Sequence, residues 1–183
     1  MKKTIAIISI ILLIALNVLA ISSVFYTPTA GLGMNGSLKW SDDTVEFVEK
    51  NFGHYESDYE KVEAFKTWVI NNIEYTPYIA PVIQTMNVDK VIASKEGICF
   101  EQASVFTIFC RISGIECYNI DGRAKKSFFT AHTWNRYCID GVWYEIDITH
   151  DQSAITNHTK LYGTNQISDL HADDKTFNIF RIY

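Results

Sequence analysis

The sequence predicts an α+β domain in which N-terminal helices pack on an antiparallel sheet. Apolar residues recur three and four apart from about residue 41 to residue 113, then alternate within β-branched and aromatic runs that flank the tight-turn pair Asp140-Gly141. Helical periods followed by strand periods indicate helices stacked on one sheet around one core. The composition agrees: of 183 residues 48% are hydrophobic and 20% charged, with only three Pro and nine Gly, which excludes a disordered tail, a collagen-like repeat or a disulfide-dense mini-scaffold. A chain of this length buries enough apolar surface to fold without disulfides.

Residues 1–26 read as a signal peptide or a membrane anchor. Lys2 and Lys3 precede an apolar run, Ile5 to Leu16, broken only by Ser9, and no charged residue follows until Lys39. Val18-Leu19-Ala20 suits a signal-peptidase site, whereas the uncharged stretch through Tyr26 is also long enough to cross a hydrocarbon core of about 30 Å. Both readings place the body outside the cytoplasm, secreted or membrane-anchored. Residues 27–39, with Pro28, Gly31, Gly33 and Gly36, read as a linker, and 40–183 as the folded domain. The 16 Lys+Arg against 21 Asp+Glu give a net charge of -5. With no basic run, nucleic acid is not an expected partner, and membrane contact is expected only through the leader.

Within the domain, Ser41 with Asp42 and Asp43 marks the start of a short helix carrying Val45, Val48 and Phe52. Ser57 and Glu60 form a capping box for a second helix with the stripe Val62, Phe65, Val69 and Ile73, Trp68 alongside, ending at Asn71-Asn72. Pro77 and Pro81 keep the next stretch out of regular helix, and Asn87 caps a brief helix through Val91 and Ile92. A third main helix begins at Cys99, buries Ala103, Phe106 and Cys110, and stops at Gly114. Strands are expected over residues 115–120, 130–139 and 142–148, followed by a polar loop from Thr149 to Asp174. Three histidines fall in that loop, His150, His158 and His171, without the close Cys/His pairing of structural zinc sites, and are read as solvated.

The candidate chemistry starts from Cys99. A thiol at a helix N-terminus meets the positive end of the macrodipole and unpaired N–H groups, which favour a thiolate and can hold an oxyanion. His132 lies in an ordered, aromatic-flanked strand segment, Ala131-His132-Thr133-Trp134-Asn135. Counting outward from the Asp140-Gly141 turn places Asp147 nearly opposite His132 on the same face. Helix thiol, strand imidazole and adjacent-strand carboxylate make a Cys-His-Asp triad: nucleophile, general base and orienting group. Cys110 reads as an inert core thiol, Cys117 and Cys138 as strand residues, with a disulfide among these three left open.

Gly97-Ile98-Cys99 leading to Ala103, then His132-Thr133-Trp134-Asn135, then Trp143-Tyr144-Glu145-Ile146-Asp147-Ile148-Thr149 resembles the transglutaminase-like superfamily of papain-like fold. The resemblance covers residues 62–149 and implies Cys99 as nucleophile, His132 as base and Asp147 as its orienter. The segment Asn72-Ile73-Glu74-Tyr75 is similar to the family's lead-in to the catalytic helix. Gln102 stands where many members carry an aromatic residue, and Thr133 where a small apolar one is commoner. Both departures bear on the shape of the acyl-donor pocket. The family's second oxyanion donor has no fixed counterpart, with Tyr75 and Trp68 as candidates. The expected activity is thiol-dependent acyl transfer on peptide or carboxamide bonds, with water as acceptor in a protease or amidase. The alternatives are a cross-linking transglutaminase and a non-catalytic peptide- or cell-wall-binding module. A protein or peptide substrate is expected; no organic cofactor and no metal are, and no calcium loop of the EF-hand kind occurs.

Overall fold

A computed structural model describes residues 38–76, 85–123 and 131–167. The leader, most of the linker, Pro77, Pro81, Thr130 and His171 lie outside these residues. Among the described residues no helix is long and apolar enough to cross a membrane. The folded body already includes the last two residues of the expected linker: Leu38 is 5% exposed in the core, and Lys39 is hydrogen-bonded through its backbone to Met86 and Val88.

Helix α1 spans Asp42–Phe52 and buries Thr44, Val48 and Phe52, with Val45 only partly covered. Ser41 occupies its N-cap position without capping through its side chain. Its amide and hydroxyl both donate instead to Asp89 Oδ1 at 3.1 Å, which ties α1 to a later helix. Helix α2, Asp58–Asn72, opens with the expected capping box between Ser57 and Glu60 and buries Val62, Phe65 and Val69. Strand β1, Glu74–Tyr75, then pairs in parallel with β2, Glu96–Gly97, a two-stranded ribbon too short to leave a periodic signal. Between them lies α3, Val88–Ser94, capped by the Asn87 side chain.

Helix α4, Cys99–Ile112, is the axis of the domain. All twelve residues from Cys99 to Cys110 are buried, not just one face, because α2 and α3 cover one side and the sheet the other. Gly114 follows at φ 81°, the left-handed conformation that ends a helix without a Cβ penalty. On the helical side Phe52, Phe65 and Phe109 meet edge to face or tilted at centroid distances of 5.0–5.7 Å.

The sheet has the order β3-β4-β5-β6, all antiparallel: β3 Glu116–Arg123, β4 Ala131–Ile139, β5 Val142–Ile146 and β6 Thr164–Ile167. Its inner face meets α4 through a buried polar layer. Asn135 Nδ2 donates to the Ala103 carbonyl and to Thr107 Oγ1, each at 3.0 Å; Thr107 donates to Asn119 Oδ1 at 2.7 Å; Asn119 Nδ2 donates to Ser104 Oγ at 2.9 Å.

The region after residue 147 differs from expectation. Strand β5 stops at Ile146, and Ile148–Thr156 form helix α5, capped by Asp147, whose Oδ1 accepts the His150 N–H at 2.9 Å. Only Ile148, Asp151 and Ala154 of α5 are buried, so its apolar stripe is too thin to stand out in a polar stretch. Strand β6 is an edge strand of mostly exposed residues and is equally faint in sequence.

Candidate active site

Cys99 is the first residue of α4 and is 7% exposed. Its approach is fixed by Gly97 and Glu101. A Cβ on Gly97 would fall 2.6 Å from the Cβ of Glu101, so the chain passes the helix start at a distance that requires glycine. The buried Glu101 carboxylate accepts the Ile98 N–H at 3.2 Å and the Thr85 N–H at 3.0 Å, clamping the backbone on both sides of the turn.

His132 stands near the start of β4 and reaches both partners expected of it. Its Nε2 lies 2.7 Å from Asp147 Oδ2, and its ring also hydrogen-bonds the Cys99 thiol. Burial is the largest influence on the imidazole and lowers its pKa. The hydrogen bonds to Asp147 and Cys99, with the charges of both, outweigh it and lift the value to about 10. The Trp134 ring stacks on the imidazole at 6.1 Å and 21°, while its indole N–H donates to Glu145 Oε2 at 3.0 Å. Glu145 also takes the Arg136 guanidinium at 2.6 Å and the Tyr162 hydroxyl.

Asp147 lies on the expected strand register, but it reaches His132 from a helix N-cap and not from within the third strand. The ladder pairs Ile139 with Val142 and Asn135 with Ile146, which puts Asp147 one step past the end of β5 and level with Trp134. The carboxylate, 1% exposed, serves two masters from the N-cap of α5: one oxygen holds the helix, the other the imidazole. The sequence signal was available, since Asp is a preferred N-cap residue and Asp151 follows in the first turn.

Both departures from the family pattern are held inside the protein. Gln102 is fully buried, donating to the Ile73 carbonyl at 2.9 Å and to Gln152 Oε1 at 2.8 Å, and accepting the Thr149 hydroxyl at 2.6 Å. Thr133 donates to Asp121 Oδ1 at 2.7 Å. Burial raises the Asp121 carboxyl above the usual range, while the Thr133 bond and the charge of His132 pull the other way. Of the two candidate oxyanion donors, Tyr75 lies within electrostatic reach of the thiol: burial and the charge of Cys99 both raise its phenol. Trp68 packs against Phe47 and Phe109 in the aromatic cluster. Tyr75 and Thr149 also line a trough of about 930 Å³ together with Asn72, Glu74, Gln152 and Ser153.

All four cysteines are free thiols. Cys110 is fully buried, and burial together with a hydrogen bond to Cys117 raises its thiol well above the usual value, in keeping with an inert core residue. His150, expected in a loop, lies exposed in the first turn of α5. Among the described residues no group of three His, Cys, Asp or Glu is arranged to hold a metal.

A buried helix whose first residue is a thiol, facing an imidazole on an antiparallel sheet, defines a papain-like α+β protein of the transglutaminase-like kind. The chain belongs to the transglutaminase-like superfamily, whose core model matches residues 46–148, more than half of its length. Kyphoscoliosis peptidase of Mus musculus is 25% identical over 128 residues, 64% of this chain and 19% of that protein, and the Homo sapiens form is 24% identical over the same shares. The chain thus spans about a fifth of the length of these curated relatives. A provisionally assigned cysteine protease from Cytophaga hutchinsonii superposes with a TM-score of 0.52 at 27% identity, covering 62% of this chain and 41% of that one.

Proposed function

We propose that this protein is a cysteine peptidase or amidase that cleaves a peptide or carboxamide bond through an S-acyl intermediate, with Cys99 as nucleophile, His132 as acid and base, and Asp147 as orienter. The observation that carries the reading is one imidazole bonded at 2.7 Å to a buried carboxylate and also hydrogen-bonded to a thiol at a helix N-terminus. The imidazolium favoured by that setting is the partner a thiolate requires.

In this mechanism the Cys99 sulfur attacks the carbonyl carbon, and N–H groups of the first turn of α4 hold the oxyanion. His132 gives its proton to the departing amine as the C–N bond breaks and a thioester forms. The neutral imidazole then takes a proton from water as it attacks the thioester, and the thiolate departs with the imidazolium restored. A primary amine entering in place of water would give an isopeptide instead. The substrate is a protein or peptide. Hydrolysis is favoured by the peptidase and protease names of the relatives. The leader places the work outside the cytoplasm, which cell fractionation with mass spectrometry of the mature N-terminus would check.

The test has two parts: the rate of Cys99 alkylation by iodoacetamide at low concentration near neutral pH, and, on separate unalkylated protein, incubation with a glutamine-bearing peptide and a primary amine under mass spectrometry. Cys99 should react at least tenfold faster than a free thiol, and His132→Ala should abolish that advantage. Cleavage supports hydrolysis, and a mass gain from the amine supports cross-linking. Alkylation no faster than a free thiol, with no change in the peptide, overturns the enzymatic reading.

A further inference from the structure

We infer that Gln102 is a positioning residue which, through Thr149, sets the distance and aim of Asp147 and His132 relative to Cys99. The inference rests on the proposed triad and adds a fourth member that never touches substrate.

The geometry closes a ring. Cys99 and Gln102 are one turn apart on α4, so their separation is fixed by the helix. Gln102 Oε1 accepts the Thr149 hydroxyl at 2.6 Å. Thr149 sits in the first turn of α5, two residues beyond Asp147, so its position is fixed relative to the capping carboxylate. Asp147 Oδ2 holds His132 at 2.7 Å, and His132 returns to Cys99. Without the Gln102–Thr149 contact the ring is open, and Gln102 holds α5 only further along the helix, through Gln152, so the turn that carries Asp147 loses its tie to α4.

The amide of Gln102 is suited to this and a hydrocarbon is not. Its Nε2 hydrogens go to the Ile73 carbonyl at 2.9 Å and Gln152 Oε1 at 2.8 Å. Gln152 Nε2 in turn donates to the carbonyls of Ile70 and Ile73 at 2.7 and 2.8 Å. The last turn of α2, the first turn of α4 and the start of α5 therefore meet on one buried, fully bonded amide, whose direction leaves little freedom. An aromatic ring in its place would fill the volume and supply no directional bond. In this chain the aim of the carboxylate depends on hydrogen bonds where packing would otherwise set it. The titratable groups around the imidazole are Cys99 from α4, Asp147 at the β5–α5 junction and Asp121 from β3. Thr149 is uncharged, so removing its hydroxyl changes geometry without changing charge.

The full-length protein tests this with Thr149→Val, Thr149→Ser and Gln102→Leu. Two readouts respond to aim and not to bulk stability: the pH profile of Cys99 alkylation by iodoacetamide, and the far-downfield proton resonance of the His132–Asp147 hydrogen bond. Thr149→Val should slow alkylation at pH 7 about tenfold, move the midpoint of its pH profile, and shift or broaden the resonance. Thr149→Ser, which keeps the hydroxyl, should return both to within twofold of the parent. Gln102→Leu should act like Thr149→Val, and if it fails to fold the Thr149 pair decides. Should Thr149→Val melt lower yet keep the parent's alkylation profile and resonance, Gln102 is structural only and the inference is wrong. A parent that lacks His132-dependent alkylation defeats the enzymatic reading, while the resonance still reports on the brace.

Discussion

His132 carries opposing influences that separate cleanly. Burial lowers its pKa, and the bonds and charges of Asp147 and Cys99 raise it to about 10, well above the ordinary 6.5. Its imidazolium should therefore persist above pH 8 in an NMR titration. In Asp147→Asn, where burial meets less opposition, the midpoint should fall by more than one unit. The linked stability has a definite sign. A histidine raised in the folded state contributes in full below about 6.5, and the contribution is lost as the pH climbs through about 10. The parent's advantage over Asp147→Asn should be larger at pH 7 than at pH 9.5, as urea midpoints would show. Glu101 and Gly97 act at the same scale, fixing the backbone on either side of the thiol, and the pattern of residue types hinted at neither. A glutamate in a helix's first turn reads as a dipole partner, and a glycine before a helix as a turn. Neither predicts the clamp to Thr85.

Among the elements, helices announced themselves where local chemistry fixed their ends. Ser57 and Glu60 make the expected reciprocal bonds, with Ser57 Oγ accepting the Glu60 N–H at 3.2 Å and Glu60 Oε2 accepting the Ser57 N–H at 3.1 Å. Ser57→Ala should cost about 1 kcal/mol in thermal or urea unfolding and leave the alkylation rate of Cys99 within twofold, because the cap is remote from the thiol. Asn87 and Gly114 are similarly legible. The failures have a physical pattern too. Helix α5 is short, with three buried residues, and β6 lies at a sheet edge, so neither needs the apolar periodicity that reveals an element in sequence. Ser41 was readable as an N-cap, yet a partner distant in sequence, Asp89, takes its hydroxyl. The three candidate residues of the site were visible because each sits where an element begins or ends, and their motifs come in order. The brace around Gln102 was hidden because it joins three such ends across space.

For the whole molecule, the decisive interface is between α4 and the sheet. It is not purely apolar: Ser104 and Thr107 of the helix interlock with Asn119 and Asn135 of the strands in a layer closed to solvent. Such a layer adds directional constraints to the hydrophobic contacts around it, Phe106 against Tyr137 among them. Asn119→Ala would strip Thr107 of an acceptor and Ser104 of a donor. It should destabilise the fold by roughly 2–4 kcal/mol in urea unfolding, more than its loss of volume alone implies. The amino-acid pattern foretold the layering of helices on sheet but not this polar seam, since each of its members reads alone as an ordinary surface residue.

The same seam decides when the chain becomes chemically competent. Cys99 travels with the helix and His132 with the strands, so until the two bodies dock the sulfur has no imidazole beside it. A chain still folding carries an ordinary thiol, mostly protonated at neutral pH and slow toward electrophiles. The pairing of sulfur with imidazole arrives only with completed tertiary structure, so an unfinished copy offers electrophiles no more than a free cysteine would.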